Sequence, residues 1–132
     1  MYPVSDMLVQ IMNAQAVKKE TVVLPFSKIK FDIANVLKSN NYVAEAGKKK
    51  KKTNKSEQDL LSIVVKYGEF GPAINGVKLI SRPSRRVYIK AEQIKPIRSG
   101  YGIAVISTPK GVMSSKEAKK QNLGGEILFE VW

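Results

Sequence analysis

Near Gly76 the spacing of the apolar residues changes. Before it, apolar residues recur at helical intervals in two segments, at Leu8, Ile11 and Met12 and again within residues 29–37. After it, short apolar runs alternate with turn residues, as in VKLIS, RVYIK, YGIAVIST, GVM and EILFEVW. Runs of this length are typical of an antiparallel sheet or a small barrel. The sequence therefore predicts two differently built parts.

Residues 1–76 are predicted to form a small α/β unit in the order helix, strand, helix, strand, strand. Ser5 is the expected N-cap of the first helix, which ends near Ala16, and Ser27 is the expected N-cap of the second. One face of the second helix carries Ile29, Ile33, Val36 and Leu37. Strands are expected at residues 20–25, 42–46 and 60–67, with the five consecutive lysines at 48–52 in a solvated hairpin loop.

Residues 77–132 are predicted to form a mainly antiparallel β unit with one short helix. Ser114 and Glu117 stand in the relation of a capping box, and Gly124 is expected to end that helix. The final run EILFEVW alternates, which places Ile127, Phe129 and Val131 on one face. The Gly- and Pro-rich segment at 68–76 is the predicted boundary between the two domains. The predicted fold class is α+β.

The charge of the chain favours a polyanionic partner. Among 132 residues, 23 Lys+Arg against 11 Asp+Glu leave a net charge of +12. Nucleic acid is the first candidate because binding to phosphates releases counterions, and an acidic membrane surface is the alternative. No stretch approaches the length of a membrane span, and the first residues lack the pattern of a signal peptide. A cytosolic-type chain that is not a membrane protein is therefore expected.

Several kinds of catalytic site are excluded by composition. With no cysteine and no histidine, the chain has no disulfide, no thiolate or imidazole metal site and no Ser-His or Cys-His pair. The spacing of a phosphate-binding loop, Gly-x4-Gly-Lys-Ser/Thr, does not occur, and the carboxylates show no recognisable pairing. We expect that the protein is not an enzyme and that it binds no cofactor and no metal. An enzyme that uses a lysine or tyrosine is the remaining alternative, and no spacing supports it.

Arginine is concentrated in one stretch. The chain has only four arginines, which are Arg82, Arg85, Arg86 and Arg98. The planar guanidinium binds phosphate through two hydrogen bonds or stacks on a base, whereas lysine acts as a point charge. Tyr88, in the same segment SRPSRRVY, either stacks on an unpaired base or packs into the sheet.

Two glycine-containing loops are the other candidates for a binding surface. In STPKG, Ser107, Thr108 and Lys110 are expected to converge with backbone amides at the end of a sheet, where they could bind phosphates and polar base edges. In LGGE, the paired glycines allow close approach of the backbone to a ligand, and Glu126 could accept a hydrogen bond from a base amino group. The alternative for LGGE is a helix stop followed by a tight turn.

Four segments together resemble a known family. SDMLVQIMNAQ, LPFSKIKFDIANVLK, SRPSRRVY and residues 101–132 resemble, in order and spacing, the bacterial-type small-subunit ribosomal protein S8 family. The resemblance covers nearly the whole chain and is weakest at 44–75. It implies an assembly protein with two RNA-binding domains and no catalytic activity. Its implied partners are the central domain of small-subunit ribosomal RNA and the neighbouring ribosomal proteins. It also implies a place in the small ribosomal subunit, in the bacterial cytoplasm or in the plastid stroma for a plastid-encoded chain. The alternative function is translational repression through messenger RNA of its own operon.

The resemblance also assigns residues to RNA contacts. They are Ser107, Thr108, Lys110, Gly111, Gly124, Gly125 and Glu126, a supporting surface with Arg82, Arg86 and Tyr88, and a second contact with Asn13, Ser27, Lys28 and Lys30. Three departures from the family pattern are Pro109 in place of a serine, Gln10 and Met12 in place of arginines, and the lysine-rich segment 48–55 in a region often acidic or neutral. Because proline holds φ near −65°, the loop is expected to keep its shape at Pro109.

Overall fold

The computed structural model describes residues 3–52, 57–69, 71–97 and 100–132, with only the backbone of Lys52. Arg98 and residues 53–56 of the predicted lysine-rich loop lie outside the described residues. The helices are α1 Pro3–Ala16, α2 Lys28–Ser39 and α3 Ser115–Lys120, with a 3-10 turn at Ala91–Gln93. The strands are β1 Thr21–Pro25, β2 Val43–Lys52, β3 Glu57–Val65, β4 Tyr67–Gly68, β5 Gly71–Pro72, β6 Val77–Leu79, β7 Tyr88–Ile89, β8 Ile103–Thr108, β9 Gly111–Ser114 and β10 Gly125–Val131. The fold class is α+β, as predicted, and the chain divides into two compact units, Pro3–Ala73 and Ile74–Trp132.

The first unit packs α1 and α2 on an antiparallel sheet of three strands in the order β1-β3-β2. The apolar face of α1 follows the helical period, and its buried residues include Val4, Met7, Leu8 and Ile11. The central strand β3 contributes the buried residues Leu61, Ile63 and Val65. The predicted order of helix, strand, helix, strand, strand is confirmed.

Two details of the helices differ from the prediction. Helix α1 begins at Pro3, so Ser5 is not its N-cap; proline suits the first turn because the amide it lacks has no partner there. Ser27 does cap α2, since its hydroxyl accepts from the Lys30 amide at 3.4 Å. Ile29, predicted on the same apolar face as Ile33 and Leu37, is 40% exposed, whereas Lys30 is 9% exposed. The buried stripe of α2 runs through Lys30, Ile33, Ala34 and Leu37, where the aliphatic stem of the lysine serves as the apolar group.

The lysine run belongs to a strand, and its prediction as a loop was wrong. Strand β2 continues through residues 48–52 and pairs antiparallel with β3 as far as Lys52 opposite Glu57. Lysines 48–51 are exposed, as expected. An edge strand can hold them because its backbone bonds to one neighbour while its side chains reach solvent. The return strand begins at Glu57 instead of residue 60 and ends at Val65.

The second unit is built on an antiparallel sheet in the order β6-β10-β8-β9, and the short strand β7 also pairs with β10. One cluster of buried apolar residues in this unit contains Ile94, Ala104, Ile106, Ala118 and Ile127. Strand β10 has a register shift between Ile127 and Phe129 where it pairs with β8. Ile127 lies opposite Ile106, whereas Phe129 lies opposite Val105, and these two neighbours on β8 point to opposite faces. The prediction that Ile127 shares one face with Phe129 and Val131 is therefore wrong, and Leu128 is buried as well.

Helix α3 begins as predicted but ends differently. The Ser114 hydroxyl accepts from the Glu117 amide at 3.2 Å. The Glu117 carboxylate accepts from Gln121 at 2.7 Å, which is not the capping-box bond that was predicted. The left-handed residue after the helix is Asn122, with φ of 58°, and not Gly124. Among the described helices, none is both long and apolar enough to cross a bilayer.

Candidate nucleic-acid interface

Three strands of the second unit bring Ser107, Glu126 and Tyr88 into one line across the sheet, here termed the polar row. Glu126 on β10 lies opposite Ser107 on β8 and opposite Tyr88 on β7. Side chains directly opposite each other in antiparallel strands point to the same face. Tyr88 is 69% exposed, so the alternative in which it packs into the sheet is wrong. The polar row thus presents a hydroxyl, a carboxylate and an aromatic ring on one surface.

Arg86 adds a positive charge to the polar row. Its Nη1 donates to Glu126 Oε1 at 3.1 Å. The glutamate side chain is 12% exposed and the arginine side chain 60% exposed, so the pair lies at the surface with the carboxylate on the inner side. A carboxylate accepts several hydrogen bonds at once, and Glu126 can still accept from a base amino group while it holds Arg86. The guanidinium keeps further N–H groups for a phosphate.

The turn after β8 carries the predicted STPKG residues. Thr108 pairs with Gly111 and leaves Pro109 and Lys110 at the turn. The Thr108 hydroxyl donates to the Gly111 carbonyl at 2.7 Å and accepts from the Lys110 amide at 3.2 Å. Gly111 has φ of 120°, a conformation that favours glycine. Thr108 therefore shapes the turn, while the exposed Lys110 is the residue of this turn that can reach a phosphate.

Gly124 and Gly125 allow β10 to approach its neighbours. A Cβ on Gly125 would overlap the Ser107 carbonyl oxygen, and a Cβ on Gly124 would lie 2.5 Å from the Ile89 carbonyl oxygen. Neither position can carry a side chain unless the strands separate. In the structure the close approach is thus between strands of the protein, and it places Glu126 beside Ser107 and Tyr88.

A buried serine that the sequence analysis missed positions the arginines. Arg82 and Arg85 form a tight hairpin through two backbone hydrogen bonds of 2.9 and 3.0 Å, here termed the arginine hairpin. Ser81, fully buried, donates from its hydroxyl to the Ile127 carbonyl at 2.5 Å and accepts from the Val87 amide at 3.0 Å. The Val87 carbonyl also accepts from the Ile127 amide at 2.9 Å, so both ends of the arginine hairpin are tied to β10. A serine before a basic turn carries no sequence signal for this role, because its burial depends on the sheet.

The first unit holds the other predicted RNA residues. Asn13 is exposed on α1 and lines a shallow groove of about 330 Å³. Lys28 is exposed at the start of α2, whereas the Ser27 hydroxyl caps that helix and Lys30 is buried. Within the described part of this unit, no hydrogen bond or ion pair joins Asn13 to the predicted residues of α2. Asn13 and Lys28 are thus the two predicted residues that face outward here.

The acidic residues of the described part do not form a metal site, since no group of three or more metal-ligating side chains comes together there. The arrangement in the second unit instead combines hydrogen-bonding groups, an exposed ring and cations. This set suits a nucleic acid whose bases are partly unstacked.

Comparison with known proteins finds one family over nearly the whole chain. The family model described as Ribosomal protein S8 matches residues 2–132. A protein of Halalkalibacterium halodurans is 44% identical over 131 residues, which cover 98% of this chain and 96% of the relative. A protein of Persephonella marina is 42% identical over 98% of this chain and 97% of its own length, and one of Bdellovibrio bacteriovorus is 42% identical over 98% of each. All three are named small ribosomal subunit protein uS8, which is not the name of an enzyme. The chain belongs to the ribosomal protein S8 family.

Proposed function

We propose that this protein is a structural component of the small ribosomal subunit that binds the central domain of small-subunit ribosomal RNA directly and supports its assembly. The observation that carries the proposal is the polar row, in which Ser107, Glu126 and Tyr88 share one face beside Arg86. The relatives quoted above are bacterial proteins named for the small subunit, which supports a location in the bacterial cytoplasm.

Recognition combines selective and unselective contacts. Tyr88 offers a ring on which an unstacked base can lie, and the Ser107 hydroxyl and Glu126 carboxylate offer hydrogen bonds to base edges or to a 2′-hydroxyl. Arg86 and Lys110 bind neighbouring phosphates, which gives affinity without sequence information. The tight turn and the two glycines hold these groups in place before RNA arrives, so little ordering is needed on binding.

The first unit supplies a second contact in this proposal. Its outward-facing residues, Asn13 and Lys28, would hydrogen-bond to RNA directly. Ser27 and Lys30 would act by keeping α2 in position, because one caps the helix and the other is part of its buried stripe. Both units then take part in RNA binding, with neighbouring ribosomal proteins as the remaining partners.

Binding of the purified full chain to a central-domain RNA fragment tests the proposal. The fragment is titrated at several salt concentrations in the presence of transfer RNA as competitor. We expect Ser107→Ala and Lys110→Ala each to weaken binding by about threefold to tenfold, the value of one hydrogen bond or phosphate contact. Ser39→Ala and Lys95→Ala change exposed residues of the same types outside this surface and should leave the affinity unchanged.

Equal affinity for transfer RNA, with binding lost as salt rises, would contradict the proposal, since it would show only nonspecific charge attraction. The alternative function, repression through messenger RNA, would use the same polar row on an RNA hairpin of similar form. Fractionation of cell extracts distinguishes the two: a ribosomal component co-sediments with small subunits in near-equal amounts, whereas a repressor leaves a large unassembled pool.

A further inference from the structure

The lysine strand of the first unit has two faces with different electrostatic surroundings. Alternate residues of a strand point to opposite sides, so Lys48 and Lys50 share one face and Lys49 and Lys51 the other. The β2–β3 ladder continues past the last β1–β3 pair, Pro25 with Leu60. The additional pairs are Lys50 with Asp59, Lys51 with Gln58 and Lys52 with Glu57. The end of this hairpin is therefore a two-stranded arm.

Acidic and aromatic groups lie beside the first face. Lys48 Nζ is 3.4 Å from Asp59 Oδ2 and 4.8 Å from the centroid of the Phe26 ring. Lys50 lies directly opposite the same aspartate in the ladder. The positive charge of this face is thus partly balanced within the protein.

The second face is not balanced in this way. Lys49 lies opposite Leu60 and Lys51 opposite Gln58, neither of which carries a charge. Both lysines are exposed, and among the residues described neither forms an ion pair. Their Cα atoms are two strand positions apart, about 6.8 Å along an extended strand. Two unbalanced cations therefore follow one straight edge strand.

We propose that the Lys49/Lys51 face binds the sugar-phosphate backbone of RNA as a sequence-independent contact of the first unit. Among the described residues, those opposite the two lysines are Leu60 and Gln58, which offer no guanidinium fork, aromatic ring or hydroxyl for base recognition. Point charges spaced along a strand suit a row of phosphates. The inference rests on the proposed function for its choice of RNA as partner, and it adds a site separate from the polar row.

A protective role for the lysines is the competing explanation. Strand β2 is an edge strand, and exposed lysines on such an edge prevent pairing with another copy of the chain. That explanation predicts self-association when the charges are removed. It predicts no change in the number of phosphates bound.

The two faces provide a matched pair of variants. Lys49→Gln with Lys51→Gln removes two charges from the unbalanced face, and Lys48→Gln with Lys50→Gln removes two from the balanced face of the same strand. Each full-length variant is titrated with a mixed-sequence RNA duplex and with the central-domain fragment over a range of salt concentrations. We expect the first double variant to lower the slope of log K against log salt by about 1.8, or about 0.9 per lysine. The second double variant should lower it by less than half as much.

Lysine acetylation followed by mass spectrometry gives an independent readout on the unsubstituted protein, whatever the folding of the variants. Lys49 and Lys51 should be protected in the RNA complex more strongly than Lys48 and Lys50. Equal slopes for the two double variants, equal protection of the two faces, or self-association without a slope change would overturn the inference. Because the slope is measured on a duplex of arbitrary sequence, these outcomes are distinct from a failure of selective binding to the central-domain fragment.

Discussion

Arg86 and Glu126, separated by forty positions in the sequence, meet at 3.1 Å between Nη1 and Oε1. The contact joins the segment that follows the arginine hairpin to strand β10, which begins at Gly125. The sequence analysis treated the basic segment with Arg86 and the LGGE segment with Glu126 as separate candidates. The contact shows that they form one surface.

Substitution of Glu126 by glutamine should affect binding more than stability. Surface ion pairs contribute about 0–1 kcal/mol to folding, so the free energy of unfolding should change by less than about 1 kcal/mol. Affinity for the central-domain fragment should fall about tenfold or more, because a hydrogen bond to a charged acceptor is lost. Glu130→Gln, on the same strand, serves as the control in a filter-binding assay. Equal effects of the two substitutions would argue against a role for Glu126 in recognition.

Substitution of Gly125 by alanine should destabilise the second unit. The added Cβ would meet the Ser107 carbonyl oxygen, which belongs to the backbone and cannot move without separating β8 from β10. We expect a loss of about 1–3 kcal/mol, as for overpacked sites, measured by urea denaturation. Gly47→Ala is the control, since its Cβ would meet nothing within 4 Å. A stable Gly125→Ala variant with unchanged RNA affinity would show that the close approach of the strands is not required.

Loss of the Ser81 hydroxyl should loosen the arginine hairpin. Ser81→Ala removes the bond to Ile127 and leaves the Val87 amide without its acceptor, at a cost of about 1–3 kcal/mol. RNA affinity should also fall, although Ser81 is buried and cannot touch RNA. Ser84→Ala changes an exposed serine within the arginine hairpin and should alter stability by less than about 0.5 kcal/mol. Hydrogen exchange of the Arg82 and Arg85 amides measures the loosening directly, and unchanged exchange would contradict it.

Stability at high pH should depend on Tyr42. Burial raises the pKa of the Tyr42 phenol above its usual value of 10.0. Below pH 10 the phenol is protonated in the folded and unfolded chains, so its contribution to stability is constant. As the pH rises above 10, the unfolded chain releases this proton before the folded chain does. The free energy of unfolding therefore decreases until the pH reaches the pKa of the folded state. Between pH 8 and pH 11, thermal unfolding should show a smaller loss of stability for Tyr42→Phe than for the unsubstituted protein. Parallel curves of stability against pH for the two proteins would contradict this.

Local signals predicted much of the fold. The order of elements in the first unit followed from apolar spacing, and the caps at Ser27 and Ser114 followed from residues whose hydroxyls accept from amides three positions ahead. The prediction was less accurate where two local patterns compete. Lysine repulsion favoured a loop at 48–52, but pairing with β3 satisfies the backbone of an edge strand without burying any charge, so the strand continues.

The sequence by itself determined the α+β class, the basic character, the absence of cysteine and histidine chemistry and the family resemblance, because each depends on composition or on residues near one another in the chain. Only the tertiary structure decided that Tyr88 is exposed, that Ser81 is buried, and that Thr108 bonds within its own turn. It also decided which lysines of β2 face an acid, since cross-strand register pairs residues that no local pattern relates. The polar row exists for the same reason: sheet pairing brings Ser107, Glu126 and Tyr88 from three strands to one face.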